Sequence, residues 1–245
     1  MHIKRVVLET KRYPSRDCYP FNLPNFNATK SIPLTAPVTF FIGENGTGKS
    51  TLLRAIARRC DIYIWEPPGG LRVVVNPHEE QLYRYLDVEW NNGMVPGSFF
   101  ASEIFQNFAR FLDEWAVASP ETLAYFGGSS LLTKSHGQGH MAFFKSRFSR
   151  KGLYLLDEPE NALSPRTQLE LMSVLKGAET SGQAQFIIAT HSPLLLALPG
   201  ATIYSFDHEP ITSVAYEDTD HYRIYRDFLN DIGEEDHSTS TPSLQ

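Results

Sequence analysis

Eight residues constrain this chain more than any other segment: Gly43-Glu44-Asn45-Gly46-Thr47-Gly48-Lys49-Ser50. The pattern G-x-x-x-x-G-K-[ST] arises by chance in a chain of this length roughly once in a hundred sequences. Here it also has the flanks it needs. The β-branched and aromatic run Val38-Thr39-Phe40-Phe41-Ile42 stops at Gly43, and Ser50 to Arg59 carries Leu52, Leu53, Ile56 and Ala57 at helical spacing. A strand, a glycine-rich turn and a helix make a polyphosphate cradle. The glycines let backbone N–H groups turn inward, and the helix N-terminus adds its positive dipole end. In such a cradle Lys49 reaches the β- and γ-phosphates, the Ser50 hydroxyl ligates Mg²⁺, and Gly43 to Gly48 with Thr51 line the nucleotide. ATP and Mg²⁺ are the expected ligands.

Two further runs, Leu153-Tyr154-Leu155-Leu156 and Phe186-Ile187-Ile188-Ala189, are apolar without alternation. Strands covered by helices on both faces read this way, so these are expected to be central and parallel. Ser164 followed by Pro165 is a cap and a first-turn proline, and Leu169, Met172 and Leu175 predict one apolar face on the crossover helix between the two strands. The first strand delivers Asp157 and Glu158 at its carboxyl end, where α/β sheets bind ligands. Asp157 suits a Mg²⁺ ligand and Glu158 a group that polarises the attacking water. Runs at 202–206 and 211–216 predict a hairpin, and Phe105, Phe108, Leu112 and Trp115 at helical intervals predict a core-facing helix over Phe100 to Val117.

Leu155-Leu156-Asp157-Glu158-Pro159, followed by Glu160-Asn161-Ala162-Leu163-Ser164-Pro165, resembles the Walker B and D-loop segment of ABC-type ATPases, and Ala189-Thr190-His191-Ser192 resembles their switch-histidine loop. The resemblance implies that His191 contacts the γ-phosphate and helps hold Glu158 and the water, while Ala162, Leu163 and Ser164 lie at a subunit boundary. Ser135-His136-Gly137-Gln138-Gly139 resembles the second half of the signature L-S-G-G-Q and departs from it at Lys134 and His136. Met141, Phe144 and Phe148 predict a helix beginning there, from which Ser135 Oγ and the Gly137 amide can donate to ATP held by a second copy. The alternative is a plain loop ahead of a helix. The S-H-G signature, the D-E-P-E run and the segment from Tyr216 to Leu229 resemble small stand-alone AAA-family ATPases of the ABC superfamily, related to the SMC-like DNA-repair group. With 86 positions from Lys49 to Ser135 and no sustained heptads, no coiled-coil arm is expected.

The resulting expectation is an α/β P-loop NTPase with a mostly parallel central sheet flanked by helices, a short helical subdomain and an antiparallel β edge. Residues 1–232 form one ABC-type ATPase domain, with a helical and signature lobe inserted at about 61–151, and 233–245 form a disordered acidic tail. From Asp207 onward there are 10 acids against 2 bases, which leaves a nearly neutral body with no general electrostatic reason to bind nucleic acid. Cys18 and Cys60 offer neither a disulfide framework nor a zinc pair, and no apolar run reaches membrane-span length, so the expected location is the cytoplasm. His136 and His140 are expected at the surface. Tyr19 is chosen over Tyr13 and Phe21 for the adenine, and Gln81 and Gln106 are the candidates for a glutamine loop. The expected activity is ATP hydrolysis by an ATP-dependent homodimer acting on a protein or DNA partner in repair or defence. The alternatives are a nucleotide-gated scaffold and the energy-coupling subunit of a transporter.

Overall fold

A computed structural model describes residues 1–66, 76–126 and 128–238. The run Pro67-Pro68-Gly69-Gly70, whose composition predicts a loop, lies outside them. The elements run β1 (Ile3–Leu8), α1 (Pro24–Ala28), β2 (Ser31–Pro33), β3 (Val38–Ile42), α2 (Lys49–Arg59), β4 (Leu86–Trp90), β5 (Gly97–Ala101), α3 (Phe105–Ala118), α4 (Glu121–Ala124), α5 (His136–Phe148), β6 (Gly152–Asp157), α6 (Pro165–Thr180), β7 (Ala184–Ala189), α7 (Pro193–Leu196), β8 (Thr202–Ser205), β9 (Thr212–Val214) and α8 (Asp220–Ser238).

The central sheet has the order β5-β6-β7-β3-β8-β9, parallel throughout except for β9, which closes the expected hairpin with β8. Every residue of β3, β6 and β7 is buried, and alternate residues enter two separate cores. Phe41, Leu155 and Ile187 face α2 and a small antiparallel sheet of order β2-β1-β4. Phe40, Ile42, Leu156 and Ile188 face α3, α5 and α6. That two-sided burial is why these strands lack an alternating pattern.

The inserted stretch at 61–151 differs from the expected lobe. It contributes β4 to the small sheet and β5 to the central one, as well as the helices α3, α4 and α5. Both strands are five residues long and pair with segments distant in sequence, β4 with β1 and β5 with β6. On α6 the buried face is Leu171, Leu175 and Ala178, whereas Leu169 stays 46% exposed, so the face predicted through Leu169, Met172 and Leu175 is rotated. α3 starts at Phe105 and not at Phe100, because Phe100 and Ala101 pair with β6; on it Phe105, Phe108 and Leu112 are buried as expected, and half-exposed Trp115 packs on Trp65 with ring centroids 5.2 Å apart. The backbone of residues 233–238 continues α8, where a structureless tail was expected, and residues 239–245 lie outside the described residues. Ile224, Tyr225, Phe228, Leu229 and Ile232 give α8 an exposed apolar stripe. Among the described residues no helix is long and apolar enough to cross a membrane.

His140 is not at the surface: it is 3% exposed and packed edge-on against Phe100 and Phe105. Burial, with His136 beside it, pushes its imidazole down to about 4. A group held neutral in the fold and titrating near 6.5 when unfolded adds stability above pH 6.5 that is lost as pH falls toward 4, at up to about 1.4 kcal/mol per pH unit. His140→Leu should therefore flatten the decline in urea midpoint between pH 6.5 and 4.5. An unchanged decline would locate the acid sensitivity elsewhere.

Candidate active site

The register of the parallel strands builds the site. Ala101 pairs with Asp157, Asp157 with Ala189, and Phe41 with Ala189, so the carboxyl ends of β5, β6, β7 and β3 stand level. The next residues of each strand, Ser102-Glu103, Glu158, Thr190-His191 and the Gly43 loop, leave the sheet along one edge. Side chains up to 148 positions apart in sequence meet there because pairing aligns strand ends regardless of chain distance.

The phosphate loop wraps the start of α2. Gly48 has φ 97°, and a Cβ there would come within 2.7 Å of Leu23 and Phe26, so both its backbone and its packing demand glycine. Buried Asn25 donates to Thr47 O at 2.9 Å and Phe206 O at 2.8 Å, which fastens the loop to the end of β8. Asp207 Oδ1 accepts from the Glu44 amide at 2.8 Å. Lys49 Nζ donates to Gly43 O at 2.5 Å and Glu44 O at 2.9 Å. Burial lowers its pKa from the usual lysine range, against the opposing pull of Asp207, Glu158, Asp157 and Glu44.

Ser50 Oγ donates to Asp157 Oδ1 at 2.8 Å, which brings together the two residues expected to hold Mg²⁺. Asp157 is 7% exposed, and burial raises its carboxyl to about 6 in spite of the Ser50 hydrogen bond. A hydroxyl and a carboxylate adjoining a phosphate cradle are the hard oxygen donors Mg²⁺ takes, so these residues fit the ion. Glu158 has φ 47°, an uncommon conformation for a non-glycine residue. Its neighbours hold it there: Glu158 N donates to Ala189 O at 2.9 Å, and Ser102 Oγ donates to Glu158 O at 3.3 Å. Asn161 Nδ2 donates to Glu158 Oε2 at 2.7 Å and orients the carboxylate.

His191 Nε2 lies 4.0 Å from Glu158 Oε1 and has no hydrogen-bond partner among the described residues. The His191 amide donates to Glu160 Oε1 at 2.7 Å, so the half-buried second glutamate of D-E-P-E anchors the switch loop. Burial, then nearby Lys49, lowers the His191 pKa, which Glu158 opposes.

Ser135 caps α5, with its Oγ accepting from Gln138 N at 3.4 Å while Gln138 Oε1 accepts from Ser135 N at 3.2 Å. This capping box leaves the Ser135 O–H free to donate outward. A Cβ on Gly137 would come within 2.9 Å of Ala162 O, so the signature turn packs directly on the D-loop segment. Together they line an open groove of about 810 Å³ with Ser135, Gly137, Gln138, Ala162 and Ser164 on its walls. Neither Ser135 nor Gly137 joins the cluster around Lys49 within one chain.

Several residues at this edge had no role assigned from sequence: Ser102, Glu103, Glu160, Asn161 and Asp207. Ser102 and Glu103 follow β5 as Glu158 follows β6, and they share a pocket with Ser50, Asp157 and Glu158. The signal was the short apolar run Ser98-Phe99-Phe100-Ala101 ending in polar residues. No glutamine stands at this position: Gln81 precedes a 3-10 turn, and Gln106 Nε2 lies 3.1 Å from His136 Nε2. Tyr19 contacts Thr51 through its hydroxyl and lines a cavity of about 250 Å³ beside Ser50, whereas Tyr13 and Phe21 pack together in the core.

Residues 130–197 match the family described as "AAA domain, putative AbiEii toxin, Type IV TA system". The chain is 30% identical over 190 residues to the phosphate import ATP-binding protein PstB of Colwellia psychrerythraea, covering 68% of this chain and 66% of that protein. It is 22% identical over 168 residues to the petrobactin import ATP-binding protein FpuD of Bacillus anthracis, covering 63% of this chain and 62% of that one. The chain thus spans somewhat under two thirds of the length of these relatives. In fold it resembles cbiO1 from Clostridium perfringens, part of the ABC transporter complex cbiONQ, with TM-score 0.55, 17% identity, and coverage of 97% and 100%. A structure described as "an inward-facing conformation of a putative metal-chelate type ABC transporter" gives TM-score 0.53 at 15% identity, covering 92% of this chain and 88% of that one. Fold, motif order and relatives agree on the class, an ABC-type P-loop ATPase. Within that class the named relatives are import ATP-binding proteins, and the link to the SMC-like DNA-repair group that the S-H-G and D-E-P-E runs suggested finds no counterpart among them.

Proposed function

We propose that this protein binds and hydrolyses ATP at two composite sites formed by a head-to-tail dimer. The observation that carries the reading is the level row of strand ends, which gathers Lys49, Ser50, Asp157, Glu158 and His191 at one edge. Lys49 neutralises the β- and γ-phosphates, and the α2 N-terminus adds its amides. Ser50 and Asp157 hold Mg²⁺, which when bound offsets phosphate charge during phosphoryl transfer. Glu158, oriented by Asn161, accepts a hydrogen bond from the attacking water, and His191 supplies the opposing contact to the γ-phosphate. Ser135 Oγ and the Gly137 amide donate to the nucleotide across the interface. Closure then depends on the γ-phosphate and relaxes after its release.

Of the loads such a switch can drive, membrane import is the one the relatives favour, with this chain as the energy-coupling subunit. It predicts co-purification with a membrane-spanning protein and ATP turnover stimulated by it. The family match over residues 130–197, which spans the signature through the switch loop, supports a second reading: a nucleotide-gated partner of an effector.

The composite site is tested by complementation. Ser135→Asp keeps a good helix cap but sets a negative charge against the partner's phosphates, and Lys49→Ala disables the phosphate loop. Each alone should be nearly inactive, while a 1:1 mixture, in which half the dimers carry one intact site, should regain about a quarter of wild-type turnover. A mixture as inactive as its components would rule out sites shared between chains.

A further inference from the structure

We propose that His221 is a positioning residue for His191: its Nε2–H donates to His191 Nδ1 and so selects the His191 tautomer that presents Nε2–H to Glu158 and the γ-phosphate. Its catalytic meaning rests on the hydrolysis reading above; the tautomer itself does not.

His221 is the second residue of α8, and its Nε2 stands 3.5 Å from His191 Nδ1, with ring centroids 5.7 Å apart. The approach is built into the fold. Tyr216 Oη donates at 3.0 Å to the carbonyl of Pro193, two residues beyond His191, and Tyr216 packs on Tyr222 with ring centroids 4.9 Å apart. Thr219 Oγ1 accepts from the Tyr222 amide at 3.1 Å and caps the helix start. The first turn of α8 is thereby pinned to the switch loop.

Two facing imidazoles share one proton along this contact, and one must donate. Burial lowers both pKa values, the two rings and Lys49 disfavour a second charge, and Glu158, Glu44, Asp207 and Asp220 oppose them, so both rings are neutral donors and acceptors near neutral pH. Were His191 to donate from Nδ1, its Nε2 lone pair would face the Glu158 carboxylate 4.0 Å away, and the phosphates beyond it. With His221 as donor, His191 turns an N–H toward both anions. The otherwise unpartnered Nε2 of His191 is the atom this arrangement arms.

The test combines ¹⁵N-histidine NMR with kinetics on wild type, His221→Leu, His221→Gln and His191→Ala, the last assigning the His191 signals. The expected wild-type signature is a neutral His191 protonated at Nε2. His221→Leu should yield mixed tautomers and a kcat about 10- to 100-fold lower with the ATP KM within about twofold, the scale of losing a partner that orients a functional histidine. His221→Gln, which keeps an N–H donor, should restore the tautomer and most of kcat, and His221→Leu should add nothing in a His191→Ala background. A wild-type His191 protonated at Nδ1, an unchanged tautomer and kcat in His221→Leu, or a His221→Gln as impaired as His221→Leu would overturn the assignment. The expected tautomers in a protein that releases no phosphate would uphold the positioning role and sink the hydrolysis reading alone.

Discussion

Glu158→Gln should cut phosphate release by about 10²- to 10⁴-fold, leave Mg-ATP binding within a few-fold, and hold the protein as an ATP-dependent dimer. The substitution keeps the shape of the side chain and leaves an amide oxygen to accept from Asn161, whose Nδ2 is 2.7 Å from Glu158 Oε2. The backbone that sets this residue at φ 47° is pinned by Ala189 and Ser102 through main-chain groups that the variant does not alter. What disappears is the anionic acceptor for the water proton. Closure and turnover should therefore separate, because closure depends on the γ-phosphate and its removal depends on Glu158. Light scattering with and without Mg-ATP, beside single-turnover phosphate release, reads both quantities. A variant that hydrolyses at the wild-type rate and stays monomeric would remove Glu158 from the catalytic role and take the shared-site arrangement with it.

Lys49→Ala should lower ATP affinity about 100-fold, the scale of losing charge-assisted hydrogen bonds to phosphate, with little loss of stability. The second half of that statement comes from the protein's own electrostatics. Burial lowers the Lys49 pKa even though Asp207, Glu158, Asp157 and Glu44 all pull it upward, so the ammonium is a net burden on the fold when no polyphosphate is bound. A lowered lysine pKa means that its charged form is disfavoured in the folded chain, and its removal relieves that cost. Titration calorimetry with ATP should show the affinity loss, and the melting temperature should stay within about 5 °C of wild type. A large fall in melting temperature would mean that the hydrogen bonds from Lys49 to Gly43 O and Glu44 O outweigh its desolvation.

The legible parts of the fold share a property. β3, α2, β6, α6, β7 and the β8–β9 hairpin are each announced by residues adjacent in the chain: an apolar run, a glycine turn, a cap followed by proline. β4 carries no such announcement and β5 only the brief run Phe99-Phe100-Ala101, since Leu86–Trp90 and Gly97–Ala101 are five residues each and gain their identity by pairing with β1 and β6. The helix stripe read through Leu169 failed similarly, because the face of α6 that is buried depends on where the helix lies on the sheet.

The order of phosphate loop, signature, Asp-Glu pair and switch histidine is written in the sequence, because each motif is a short run whose chemistry needs particular residue types at fixed spacing. That order suffices to name the class and Lys49, Ser50, Asp157, Glu158 and His191 as candidates. Tertiary structure alone decided what holds them. Glu160 anchors His191 through its amide, Asn161 aims Glu158, Asp207 accepts from the phosphate loop and His221 meets His191, although none of these contacts follows from a spacing rule. Strand register brings them together, and register is a property of paired strands, not of any one segment of the chain.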